Sequence, residues 1–226
     1  MDIKENLFRL KKTLTNPDCL LVAVSKTKPI GDIQEAYDAG IRDFGENKVQ
    51  ELAEKQPQLP KDIRWHMIGH LQRNKVKYIA PFVHLIHGVD SYKLLKEINK
   101  QGRKVNRTIP CLLQIHIAKE ESKFGFSEDE LEVLIKNEPV AELSHVKIVG
   151  LMGMATNTDN EDVVRREFAS LKSLFDKIKS KDLPSNFELK EISMGMSGDY
   201  QIAQEEGSTM VRIGSAIFGK RNYSKG

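Results

Sequence analysis

The chain has 226 residues, with 35 Lys and Arg against 32 Asp and Glu and a net charge of +3. Its length admits one large domain with a sizeable core, and its interspersed charges leave no basic block of the kind that marks a nucleic-acid-binding surface. Met1 to Asn6 has no apolar leader and no apolar run approaches membrane-spanning length, so a cytoplasmic protein that engages neither membrane nor nucleic acid is expected. Cys19 and Cys111 are far apart and each adjoins apolar, strand-like residues. They read as buried free thiols, which suits a reducing compartment.

Ile3, Leu7, Leu10 and Leu14 are spaced by four, three and four, which predicts an amphipathic helix covering one side or end of the remaining fold. The apolar run Leu20 to Ser25 then predicts a strand over 20–25 that delivers Lys26 to its C-terminal edge, just before a Thr27-Lys28-Pro29 turn. Such a lysine is either solvated, the commoner case, or a desolvated amine able to form a Schiff base. A helix over 30–39 leads to a short strand over 42–45 and a helix over 46–55. Asn47 at that junction either caps the helix, the commoner role, or hydrogen-bonds a ligand.

A strand is predicted over 64–69, where His66 and His70 would lie roughly 13 Å apart, too far to share a metal ion. Helices over 72–79 and 91–103 flank a strand over 84–89, and a longer strand spans 109–118. His84, His87, His116 and His145 have no cysteine or carboxylate at ligand spacing, so structural or surface roles are expected for them. Lys119 to Lys123, before Phe124-Gly125-Phe126, reads as a solvated loop or as a cover over a ligand mouth. Next come a helix over 127–137, a strand over 146–155, a helix over 160–180 and a strand over 188–194. Met194-Gly195-Met196-Ser197-Gly198-Asp199 then turns into a helix over 198–206, and a last strand over 210–213 ends in Gly214-Ser215-Ala216.

Eight strands alternating with seven helical segments, several strands apolar nearly throughout, predict a parallel sheet with both faces covered. Over this length a single-domain (β/α)8 barrel spanning 1–226, with an extra N-terminal helix, fits better than an open sheet. The glycine-serine turns after the last two strands occupy the place where such barrels often hold phosphate, although the same residues also make plain turns. No P-loop is present, and Gly195-Met196-Ser197-Gly198 lacks the spacing of a nucleophile elbow. Arg212, inside an apolar strand, must be paired, either with a carboxylate, the expected partner, or with a ligand acceptor such as a ring nitrogen. Met152, Met154, Met194 and Met196 near strand ends either fill core or pack against a flat ring.

Taken together, several segments resemble the pyridoxal 5′-phosphate-binding homeostasis proteins, related in fold to the N-terminal barrel of alanine racemase. They are Val22-Ala23-Val24-Ser25-Lys26, Phe44-Gly45-Glu46-Asn47 with Gln50-Glu51, Trp65 to Gly69 with Leu71-Gln72 and Asn74-Lys75, Gly150-Leu151-Met152, Ser193 to Ser197, and Val211 to Gly219. The resemblance implies pyridoxal 5′-phosphate as cofactor, carried as an internal aldimine on Lys26. Ser193, Gly214 and Ser215 would hold its phosphate with nearby backbone amides in the Met194-Gly195-Met196 stretch. Asn47 would lie beside the cofactor, and Arg212 would face the pyridine nitrogen.

A permanent cation there disfavours ring protonation and weakens the electron sink, so racemisation should be poor. Alanine racemase also uses a second, β-rich domain and a tyrosine from its dimer partner, which this chain is expected to lack. The resemblance therefore implies a monomeric carrier or buffer of the cofactor, with apo-enzymes as possible recipients and room for weak racemase activity. The alternative is a pyridoxal-phosphate-dependent amino-acid racemase or a related enzyme.

Overall fold

The structure, a computed structural model, describes residues 2–119 and 124–219. Helix α1 (Ile3–Thr13) is capped by Asp2 and buries Ile3, Leu7 and Leu10. Eight strands come after it: β1 (Leu20–Val24), β2 (Asp43–Glu46), β3 (Arg64–Met67), β4 (Leu85–Val89), β5 (Ile109–Ile115), β6 (Val146–Gly153), β7 (Phe187–Ser193) and β8 (Met210–Ile213). All pair in parallel with their sequence neighbours, and β8 closes on β1 from Leu20↔Met210 to Ala23↔Ile213. The predicted closed barrel is therefore the fold.

The connecting helices are α2 (Ile30–Asp38), α3 (Val49–Lys55), α4 (Val76–Ile79), α5 (Tyr92–Lys104), α6 (Glu128–Asn137), α7 (Glu161–Lys179), α8 (Tyr200–Glu205) and α9 (Ser215–Phe218). The main core is one continuous apolar cluster contributed by both strands and helices. A second, smaller cluster of Val22, Leu85, Leu112, Met152 and Met210 fills the barrel interior. Helix α1 packs on α2 and α9, and Asn6 Nδ2 donates to Ile217 O at 2.9 Å. The extra helix thus braces the segment beyond the last strand.

Several boundaries differ from the sequence expectation, each where sheet pairing runs out. β5 stops at Ile115, paired to Gly153. Beyond it the His116 amide turns to Phe126 O, so 116–118 belong to the loop. The helix expected over 72–79 is a 3-10 turn at Arg73–Lys75 leading into α4. α3 starts at Val49 rather than 46, because Glu46 is still paired in the sheet with Met67. Cys19 and Cys111 are buried free thiols as expected. Among the described residues, no helix is long and apolar enough to cross a membrane.

Candidate functional site

Parallel register and the period of two decide which side chains face the barrel interior. Val22 lies in the interior cluster and pairs with Arg212, so Val24 at the end of β1 faces the same way, and Lys26 and Gly214, just past the ends of β1 and β8, both line the space above them. A cavity of about 440 Å³ opens there, lined by Lys26, Asn47, Gln114, Met196, Arg212 and Ser215 among others. That size suits a small cofactor. The cavity lies at the C-terminal ends of the strands, where barrels of this kind assemble their sites.

Lys26 is held by a buried ion-pair network on its backbone. Lys55 Nζ donates to Ser25 O at 2.8 Å, Glu46 Oε1 at 2.8 Å and Glu51 Oε1 at 2.6 Å. The Ser25 hydroxyl donates to the same Glu46 oxygen, and the Thr27 amide donates to Glu51 Oε1. Thr27 has φ 64°, a left-handed conformation that a β-branched residue adopts only when its surroundings impose it. The residues on either side of Lys26 are therefore clamped, which fixes where its side chain starts. Burial raises the Glu46 carboxyl above its ordinary pKa, and Lys55 and Ser25 act against that rise.

Lys28 also lines the cavity, but its ammonium donates to Phe218 O at 2.6 Å and Gly219 O at 3.3 Å. Opposite, His70 stacks on Phe124 with ring centroids 4.4 Å apart and pairs with Asp90. Gln114 Nε2 holds Phe124 O at 2.8 Å. The loop expected over the mouth lies partly outside the described residues, but Phe124 at its end does line the cavity.

Asn47 lies at the end of β2 and lines the cavity, whereas the residue before α3 is Lys48. The capping role is thereby corrected, since Glu46 stays in the sheet and pushes the helix start further along the chain. A Cβ at Gly69 would meet Asn47 O at 2.4 Å, so only glycine lets these two strand ends approach so closely. After β7, Gly195 at φ 98° reverses the chain so that Met196, Ser197 and Gly198 reach the cavity. Ser197 Oγ accepts from the Gly214 amide at 3.3 Å. With Ser215 opening α9, the two glycine-serine turns meet at one end of the cavity and present hydroxyls and amides suited to an anion. Met154 and Met196 line the cavity, while Met152 and Met194 are buried.

Ser193, Met194 and Gly195 do not line it. Ser193 is fully buried and its hydroxyl lies between His87 Nδ1, at 2.9 Å, and the Arg212 guanidinium. That corrects its expected contact with phosphate: the inward position places it behind Arg212, and Ser197 reaches the cavity instead. The acidic charge that acts on Arg212 is that of Asp199, and the guanidinium's hydrogen bonds go elsewhere. Its partners are Ser193 Oγ and Gly153 O. Burial lowers the Arg212 pKa to about 10, with the Asp199 charge opposing, so it remains a cation at neutral pH.

The fold brings some of the histidines together. His66 and His87 are buried inside the barrel, with His66 Nδ1 at 2.9 Å from His87 Nε2 and His66 Nε2 at 3.0 Å from Asp43 Oδ1. Asp43, His66 and His84 bring ligand-type atoms within 4.8 Å of one another, a grouping that sequence spacing hides because its members are scattered along the chain. Arg64 takes both oxygens of the Asp43 carboxylate, Nε donating to Oδ1 at 2.8 Å and a terminal nitrogen to Oδ2. An ion pair rather than an open metal seat results.

Burial tends to raise the Asp43 pKa, but hydrogen bonds and charge from His66 and Arg64 outweigh it and bring the carboxyl down to about 2. A group depressed in the folded state contributes stability above its unfolded pKa and loses it as pH falls. Between about pH 4 and pH 2 the protein should lose about 2 kcal/mol from this group. Urea unfolding across that window checks it. Asp43→Asn should be less stable at neutral pH and should lack this portion of the acid dependence.

Known proteins share both this sequence and this geometry. The sequence pattern for the alanine racemase N-terminal domain matches residues 1–222. A pyridoxal phosphate homeostasis protein of Aquifex aeolicus is 41% identical over 204 residues, covering 90% of this chain and 87% of its own. This chain belongs to the pyridoxal phosphate homeostasis protein family. The Pasteurella multocida member is 38% identical with both chains fully covered. The structure of PipY from Synechococcus elongatus with PLP bound superposes with a TM-score of 0.86 at 34% identity, over 96% of this chain and all of that one. A Bartonella henselae alanine racemase, 18% identical with a TM-score of 0.72, shares the fold over 98% of this chain and 60% of its own.

Proposed function

We propose that this protein binds pyridoxal 5′-phosphate in the 440 Å³ cavity through an imine between the cofactor's aldehyde and Lys26, and carries or buffers it without transforming amino acids. The observation that carries the reading is one cavity lined by Lys26, just past the end of β1, and by Arg212 on the neighbouring β8. The donor set fits the cofactor. Ser197, Ser215 and the amides of the two glycine-serine turns suit a phosphate, and Met154 and Met196 suit a flat ring. PipY, bound to PLP, supports the same choice.

The amine is Lys26, just past the end of β1 at the cavity, while the Lys28 ammonium is turned to the carbonyls at the end of α9. Asn47 sits beside the ring. Bound cofactor supplies an electrophilic aldehyde and an electron sink. Arg212 limits the second, since a guanidinium facing the ring nitrogen keeps it unprotonated and leaves an α-carbanion poorly stabilised. Holding without turnover is the result. The carrier works as a monomer in the cytoplasm, consistent with its two free thiols, and hands the cofactor to apo-enzymes.

The competing reading is an amino-acid racemase on the same barrel. Incubating the cofactor-loaded protein with single-enantiomer amino acids in deuterated water separates the two. Carriage predicts no α-proton exchange at an enzyme-like rate. Exchange with racemisation at such a rate would establish the enzyme instead.

A further inference from the structure

The hydrogen bonds around Arg212 continue through the barrel to its opposite end. Arg212 donates to Ser193 Oγ; Ser193 Oγ is 2.9 Å from His87 Nδ1; His87 Nε2 is 2.9 Å from His66 Nδ1; and His66 Nε2 is 3.0 Å from Asp43 Oδ1. Every member is buried. A guanidinium cannot accept and a carboxylate cannot donate, and with both rings neutral a single direction runs through the whole path. Asp43 accepts from His66 Nε2–H, so a neutral His66 offers the Nδ1 lone pair to His87 Nε2–H. His87 Nδ1 in turn accepts the Ser193 hydroxyl proton, which leaves the Ser193 lone pairs facing Arg212. In that arrangement each polar atom along the path is satisfied, with the hydrogen of each imidazole on Nε2.

We infer that Asp43, His66, His87 and Ser193 form a one-way relay that positions the Arg212 guanidinium and links it to a counter-charge at the far end of the barrel. His66 and His87 are then positioning residues for a cavity that neither lines. The need is physical, since a buried cation whose hydrogen bonds go to a hydroxyl and a carbonyl requires those dipoles to be oriented, and Asp199 is the acidic charge acting at its own end. A chain of aligned hydrogen bonds polarises along its length. Burial holds the His87 imidazole well below its ordinary pKa, and the Arg212 charge acts the same way. Arg64, His84 and Arg107 are the charged or titratable groups near the Asp43 end. The His66 and His87 rings meet edge to face at 5.2 Å, so neither can turn without breaking two bonds.

The consequence for cofactor retention rests on the proposed carrier function; the relay itself does not. In cofactor-free protein, nitrogen-15 NMR of the histidine rings should show both His66 and His87 neutral and protonated at Nε2. A proton on Nδ1 of His87 would overturn the relay, whatever the protein binds. In the full chain with pyridoxal 5′-phosphate, His87→Leu should weaken retention about tenfold and move the pH profile of the bound chromophore. His87→Gln, which keeps one acceptor and one donor on a planar group, should stay near the original protein on both counts. Equal retention and an unchanged profile in His87→Leu would overturn the positioning role. Should His87→Leu fail to fold, Asp43→Asn serves: loss of the counter-charge should shift the chromophore's titration down, and no shift counts against the relay. If the original protein binds no pyridoxal phosphate, the carrier function fails while the tautomers still decide the relay.

Discussion

Lys55→Met should lower the free energy of unfolding by about 3–5 kcal/mol at neutral pH, the range for breaking one side of a buried ion pair. Lys55 and Glu46 are both almost completely buried, with side chains 8% and 0% exposed. The variant leaves Glu46 with the Ser25 hydroxyl but no cation. It also frees Ser25 O, so the clamp beside Lys26 loosens as well. The pH dependence gives the mechanism a signature. Burial already raises the Glu46 pKa in the folded state, and a raised group contributes stability below its unfolded value that is lost as pH rises. Removing Lys55 raises that pKa further, so the deficit should be small near pH 4 and large at pH 7. Urea titrations at both values measure it; a deficit under about 1 kcal/mol at pH 7 would mean the pair is not buried as described.

Lys26→Ala should have the largest effect on binding. The cavity keeps Arg212, Ser197, Ser215 and Asn47, so the phosphate and ring still find partners, but the covalent attachment goes. Retention should weaken on the order of a hundredfold or more, with loss of the imine chromophore. The clamp through Ser25, Thr27, Glu46, Glu51 and Lys55 stays in place. Lys28→Ala, by contrast, should keep the chromophore. Absorbance spectra after gel filtration compare all three proteins.

Much of the architecture is legible in the chain. The apolar run Leu20 to Val24 announces a buried strand, and the alternation of strands and helices announces the barrel that the pairing closes. Lys26 and the glycine-serine turns fall where barrel chemistry gathers. The interior polar chain is not legible in the same way, because Asp43, His66, His87, Ser193 and Arg212 come from five strands and meet only when the sheet closes. A signal does exist. Once Val22 is taken as inward, the period of two carries along each strand and across the register Val22↔Arg212 and Gly45↔His66, which places His66 and Arg212 inside. Charge partners hide for a related reason. Sequence suggests that a buried Arg212 needs a carboxylate beside it, whereas the fold gives its guanidinium a hydroxyl and a carbonyl to bond, with Asp199 as the acidic charge acting on it and Asp43 at the far end of the barrel. Asn47 looks like a cap only while β2 is taken to end one residue early, at Gly45.

The most direct measurement is reductive trapping. The protein is loaded with pyridoxal 5′-phosphate, reduced with borohydride, digested and mapped by mass spectrometry. One pyridoxyl phosphate adduct per chain on the peptide carrying Lys26, absent in Lys26→Ala, is the expected result. An adduct confined to Lys28 or another lysine, or bound cofactor that leaves no adduct on reduction, would contradict a carrier built on Lys26.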